Sequence, residues 1–365
     1  MRTRLFGLAT AALLALSAAP AAAQSDILLQ LRSGSPLGDR FRVDSAGGVV
    51  AKGDLGIGII PATGEGERMM WYPFKAAFRV GSPGYSGTTA WDDANIGFYS
   101  VAAGYSTIAT GIYSVALGGE NVAASQATTV SGRLSHAGTS FRGAANNNGG
   151  AVALGTRVTA DADYGFAAGY RASTAGRVGA YVWGGTLAGA SAASDSLLAT
   201  ADGQWSARAP GGYRLFTNQA LTTGVTIAAG GSSWNVVSDR SRKEGFADLD
   251  GEDVLTRLRR VPVTEWRYRD EADRTVRHIG PMAQDWHAAF GLNGDDRTIN
   301  MSDFDGVNLA AVKALDARST AQAARVEELA AENAALRADV EGLRSRNAEL
   351  AERLRAIEAA LAARP

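Results

Sequence analysis

Hydrophobic positions along this chain follow two rhythms. The first is short and repetitive. Between residues 96 and 184 the phrase Tyr99-Ser100-Val101-Ala102-Ala103-Gly104 returns as Tyr113-Ser114-Val115-Ala116-Leu117-Gly118. It returns again in Ala127–Gly132, Gly150–Gly155 and Tyr164–Gly169, with a degenerate copy at Ala180–Gly184. Gly104, Gly118 and Gly132 are 14 residues apart, as are Gly155 and Gly169, and a segment containing Asn146-Asn147-Asn148-Gly149 breaks the phase between them. A fixed short period predicts stacked coils, none able to bury a core alone. Fourteen residues accommodate two short strands and two corners. The expected arrangement puts Val and Leu or Ala inward and the glycine at a corner needing positive φ.

The second rhythm is a heptad. Position a holds Val312, Ser319, Val326, Asn333, Val340, Asn347, Leu354 and Leu361, and position d holds Leu315, Gln322, Leu329, Leu336, Leu343, Leu350 and Ile357. Seven heptads predict a coiled coil. With chains parallel and in register, Glu332 meets Arg337, Asp339 meets Arg344 and Arg353 meets Glu358, and no pair repels. Val and Asn at a with Leu at d lean toward two strands rather than three. The rest reads as strands and turns: Phe41–Asp44 and Gly48–Ala51 before the repeats, Ala209–Phe216 and Gly224–Ala228 after them.

Composition sharpens these divisions. Only 8 of the 95 residues from Ile96 to Ala190 are charged, against 44 of 128 from Ser238 onward. A shift that steep marks a change of architecture. The net charge of −1 offers no basic surface for nucleic acid. Arg2 and Arg4, the apolar run Leu5–Ala18 and the small residues Ala21-Ala22-Ala23 predict a signal peptide, with the mature chain starting at Gln24. The chain has no Cys, so neither a lipid-bearing cysteine nor a disulfide is available, and an exported protein must find durability elsewhere. No later apolar run predicts a membrane-spanning helix. Residues 1–23 are thus expected to be a signal peptide, 24–95 an N-terminal β region, 96–190 the repeats and 191–237 a β stem. Residues 238–307 form a distinct domain and 308–365 the coiled coil.

Candidate chemistry sits at the charge boundary, in Ser238-Asp239-Arg240-Ser241-Arg242-Lys243-Glu244. A serine hydroxyl needs a base, and a lysine serves when burial or a cationic neighbour lowers its pKa. Ser238 and Lys243 can meet across a tight turn. His136, His278 and His287 are scattered and no HExxH or GxSxG motif occurs, so no metal and no cofactor is expected. Downstream come Val261–Tyr268, then His278-Ile279-Gly280-Pro281-Met282-Ala283-Gln284-Asp285-Trp286, then Val307–Leu315.

This order resembles the intramolecular-chaperone, auto-processing domain at the C-termini of phage tailspikes and tail fibres, including endosialidases, and in a vertebrate myelin regulatory factor. Its members open with Ser-Asp-x-Arg-x-Lys, pass through an aromatic strand and an IGxxAQ segment, and close with a long helix. The resemblance covers Ser238 to about Leu315. It implies a Ser-Lys self-cleaving peptidase with Ser238 as nucleophile and Lys243 as general base, in a domain that trimerises the fibre and then cuts beside Ser238. One position departs: the family's Arg is Ser241 here, leaving Arg240 or Arg242 to substitute, or a slow or absent cut.

The repeats in turn resemble the heads of trimeric autotransporter adhesins, which use a similar SVALG phrase. That resemblance implies left-handed parallel β-rolls, three side by side, and it sets the expected state as a homotrimer. The sequence departs from that family at its end, where a helical pattern stands in place of the amphipathic strands of an outer-membrane anchor. The expected fold is therefore a mainly β, fibrous trimeric body followed by an α+β chaperone domain and a parallel coiled coil. The expected function is an exported fibre or adhesin-like protein, secreted or at the cell surface, with itself as partner and an unidentified surface or glycan ligand. The alternative is a tailspike-like glycan-binding or glycan-degrading protein with a non-cleaving chaperone domain. Glycan hydrolysis needs paired carboxylates across a cleft, and the repeats offer only Glu120, Asp161 and Asp163.

Overall fold

The computed structural model describes residues 27–33, 38–85, 87–138, 149–187 and 196–363. The predicted signal peptide and the asparagine run Asn146–Asn148 lie outside them. The chain divides into two compact units between Ser238 and Asp239.

Among its described residues the first unit is mainly β, with short 3-10 turns at Pro73–Lys75 and Asp93–Asn95. Strands Ile27–Ser33, Gly38–Asp44 and Val49–Ala51 form an antiparallel sheet. The repeats then build two sheets at once. Each contributes one strand of about five residues to a nine-stranded sheet, such as Val101–Tyr105, Val115–Gly119 and Thr129–Arg133. Each also contributes a two-residue strand, such as Ile108–Ala109 and Val122–Ala123, to a six-stranded parallel sheet. Register is strict: Gly81, Gly104, Gly118, Gly132, Gly155, Gly169 and Gly184 pair in one line across seven strands. The phase break is therefore absorbed outside the strands, since Gly132 still faces Gly155. The nine-stranded sheet begins at Arg68–Tyr72 and ends at Trp205–Arg208.

Position by position, the repeat differs from the expected inside and outside. Ala102, Ala116, Val130, Ala153, Ala167 and Val182 point inward and are fully buried. Val101, Val115 and Val152 are half-buried on the other face, and Leu117 and Leu154 are exposed there. The interior between the two sheets is lined mostly by alanine. The preceding hydroxyl is structural: Ser100, Ser114 and Thr128 are buried and donate to Gly97, Gly111 and Ser125 carbonyls at 2.7, 2.7 and 2.8 Å.

The glycine is likewise not at a corner. It lies inside the strand with positive φ (Gly118, 107°), where a Cβ would run into the carbonyl oxygen of the next coil's glycine, Gly132. The corners are turned by larger residues in the left-handed region, Tyr99, Tyr113 and Tyr164 at one and Ser106, Glu120 and Arg157 at another. Such residues cost of order 1 kcal/mol each there. Their N–H groups bond a neighbouring coil, as in Tyr113 to Phe98 O at 2.9 Å and Glu120 to Tyr105 O at 2.8 Å. Arg79 occupies the inward position paired with Ala102 and is fully buried. Burial pushes its guanidinium down to about 10, and it donates to Ser100 O, Ser100 Oγ and Ala109 O. An antiparallel sheet of Tyr213–Phe216, Gly224–Ile227 and Asn235–Val236 ends this unit.

The second unit holds three helices: α1 (Gly251–Leu258), α2 (Ala283–Phe290) and α3 (Met301–Ala362). It also holds a hairpin of Thr264–Trp266 and His278–Gly280, in which Trp266 pairs with His278. Asp250 caps α1 through Glu252 N at 2.9 Å, Asn300 caps α3 through Ser302 N at 2.9 Å, and Gly291 ends α2 with φ 65°. Val254, Leu255, Val261, Trp286, Val307 and Ala311 form the core, with Phe290 and Phe304 against Trp286. The first turns of α3 thus belong to this core. From Val312 on, the apolar a and d residues, Leu336 and Leu343 among them, are exposed along the helix, as one strand of a coiled coil requires. No helix among the described residues is long and apolar enough to cross a membrane.

Candidate functional site

Ser238 ends the first unit, and the next residues form a single turn. Asp239 is extended (φ −70°, ψ 130°) and its carboxylate accepts from Ser241 N at 2.9 Å, starting a 3-10 turn over Arg240–Arg242. Arg242 N bonds Asp239 O at 3.1 Å, and Lys243 N bonds Arg240 O at 3.2 Å, closing the turn. The hydrogen bonds from Ser241 hold the Asp239 carboxyl below its usual range, helped by the charge of Arg242. Arg240 lies 4.8 Å over the ring of Phe246, so the two arginines that flank Ser241 are distinguished. Arg240 is stacked, and Arg242 stands beside Asp239. Ser238 and Lys243 flank this turn, and both are exposed in the single chain. Asp239 was not foreseen as a structural residue, although an Asp two residues before a turn N–H is a recognisable Asx signature.

Other chemistry-bearing groups are committed elsewhere. Glu120 pairs with Arg133 at 3.3 Å. Asp161 accepts from Thr174 Oγ1 at 2.7 Å and Gly176 N at 2.8 Å, and Asp163 accepts from Gly149 N at 3.2 Å. All three carboxylates of the repeats hold loops or neighbouring strands. Phe166 and Tyr181 stack face to face at 4.4 Å, and Tyr99 stacks on Tyr113 at 5.2 Å. Each contact uses one face of each ring. His278 contacts Glu271 at 3.1 Å and lies among Trp266 and Tyr268. No group of three His, Asp or Glu side chains able to hold a metal occurs among the described residues.

The IGxxAQ segment runs from the second hairpin strand into α2, and its Trp286 is the centre of the core. Residues 238–294 match the model of the peptidase S74 family, the chaperone of endosialidase. The matched stretch begins at Ser238 and covers the turn, α1, the hairpin and α2. It supports an intramolecular chaperone unit, related to a peptidase family and acting in self-association, at the C-terminus of this chain. No curated protein and no solved structure matches the chain.

Proposed function

We propose that this protein is an exported homotrimeric fibre of adhesin-like build, assembled by its C-terminal unit. That unit then severs itself beside Ser238. The observation that carries this reading is the start of the family match at Ser238, where the β body gives way to the helical unit. Ser238 is the nucleophile and Lys243 the base. A lysine becomes a base when it is desolvated or set near other cations. Arg240 and Arg242 supply the cations, and the neighbouring chains of the assembly supply the burial that one chain lacks. Cleavage on this reading waits for assembly.

Three chains are favoured over two by the body. Its two-sheet stack is the left-handed β-roll of adhesin heads on this reading, and the outward row of Val115, Leu117 and Leu154 covers an apolar face between copies. The committed carboxylates favour a structural over a glycan-degrading body. The test is a denaturing gel with intact mass measurement. Wild type is expected as a body ending near residue 237 and a fragment from about 238. Ser238→Ala and Lys243→Ala are each expected to remain full length. A wild type that stays whole makes the unit a chaperone without a cut, and cleavage in Ser238→Ala moves suspicion to Ser241.

A further inference from the structure

The first turns of α3 bury one side and leave the other bare. Val307, Ala310, Ala311 and Ala314, at heptad positions c, f and g, pack into the core of the second unit. Carrying the heptad back from Val312 puts Met301 and Asn308 at d, Asp305 at a and Leu309 at e. All four are exposed in the single chain, Leu309 at 64%. Leu309 is the exception among the e positions. The later ones hold Asp316, Ala323, Ala330, Arg337, Arg344, Ala351 and Glu358. A lone leucine there is an apolar contact waiting for a partner.

Beside this bare side lies a cavity of about 720 Å³, between the hairpin, the start of α2 and the start of α3. Ile279, Met282, Met301 and Phe304 give it apolar walls. Arg267, Arg269 and Arg297 also line it, and no Asp or Glu does. Neither these arginines nor Asp305 forms a salt bridge among the described residues.

The coil's own register brings these halves together, given the reading of parallel, in-register chains on which this inference rests. A g residue faces the neighbour's e residue five positions on, the rule that pairs Glu332 with Arg337. Phe304 is at g, so it faces Leu309 of a neighbouring copy. An a residue seats among four residues of the facing helix, and for Asp305 these are Met301, Phe304, Asp305 and Asn308. Two of the four line the cavity. We propose that the cavity of each copy is closed by α3 of a neighbouring copy. Leu309 of the neighbour covers the apolar wall at Phe304. Asp305 of the neighbour supplies the negative charge that the arginine rim lacks, and the rim offsets the repulsion of like charges in the seam. No segment has to move, because both residues stand on the helix that carries the coil. The chaperone unit is then complete only in the assembly.

The test places the photoreactive residue p-benzoylphenylalanine at position 309 of the full-length chain, and in a separate chain at position 336 as a reference for the coil. Irradiation at 309 is expected to join two chains, seen as a doubled mass on a denaturing gel. Peptide mapping is expected to find the bond at Met282, Met301 or Phe304. Adding Asp305→Arg is expected to lower that yield several-fold while the product from position 336 persists. Cross-linking from 336 without that product from 309, or with a bond from 309 only within one chain, overturns the docking and leaves the coil standing. Failure at both positions overturns the docking together with the assembly it rests on. An undiminished yield with Asp305→Arg overturns the placing of Asp305 at the rim.

Discussion

At the scale of single residues, the turn between Ser238 and Lys243 is held by one carboxylate. Asp239 organises the Ser241 N–H and thereby the backbone between Ser238 and Lys243. Losing a cap of this kind costs about 0.5–2 kcal/mol, which corresponds to roughly a 2- to 30-fold change in an equilibrium or rate. Asp239→Ala is expected to slow self-cleavage by about that factor, and Asp239→Asn, which caps as well, to leave the rate near wild type. A time course of full-length chain on a denaturing gel reads both, and equal rates for the two variants would contradict the capping role. Glycine offers a second contrast at this scale. A Cβ on Gly118 meets the Gly132 carbonyl, whereas one on Gly119 meets only Arg133 Cγ at 3.9 Å. Gly118→Ala is expected to destabilise the body by more than about 1–3 kcal/mol and Gly119→Ala to be nearly silent, as thermal unfolding of the two variants would show. The Val-Ala-Leu-Gly alternation was legible in the sequence, but not which face was inside. Period-two patterning names two faces without ranking them, and here the smaller residue fills the interior. The glycine's role was hidden for a related reason: the close approach is to the next coil, 14 residues away.

At the scale of elements, the 62-residue α3 is the part most fully written in the chain's pattern. Its a and d residues are exposed, as they would be on one strand of a coiled coil taken alone. The early turns of α3 were less legible. Phe304, Val307 and Ala311 pack into the chaperone core, and core residues recur at helical spacing there too. Leu336→Lys with Leu343→Lys places charges in the seam and is expected to abolish self-association of the C-terminal unit, as read by analytical ultracentrifugation. Asn333→Val with Asn347→Val removes the two asparagines at position a. That variant is expected to be more heat-stable and less uniform in oligomeric state, since buried Asn sets register at a cost in stability. If the lysine variant still self-associates at wild-type strength, α3 is not the element that gathers the chains. The cavity beside the hairpin was not legible at all, because its walls come from three segments spread over about forty residues and only the fold juxtaposes them.

At the scale of the whole molecule, the proposed function divides the labour of a slow assembly between the two units. Every strand pair from Ala77–Ser82 to Trp205–Arg208 is parallel, and one crossing spans the phase break. Such pairing is slow, because chain must be ordered before contacts compensate it. A coiled coil forms from local structure and raises the effective concentration of the attached bodies. On the proposed reading, cutting the helper away leaves a dissociated body without means of reassembly, so stability becomes a matter of rate. That would suit the proposed export of a chain without cysteine. Residues 24–237 expressed alone are therefore expected to aggregate or stay monomeric. The same residues released from the full chain should stay associated in detergent at room temperature. The measurement that tests this account most directly is native mass spectrometry of the released body beside the full-length Ser238→Ala protein. The account predicts three copies in both, with the C-terminal fragment absent from the first. A single-chain body, or one of the same mass when expressed without its C-terminal unit, would contradict it.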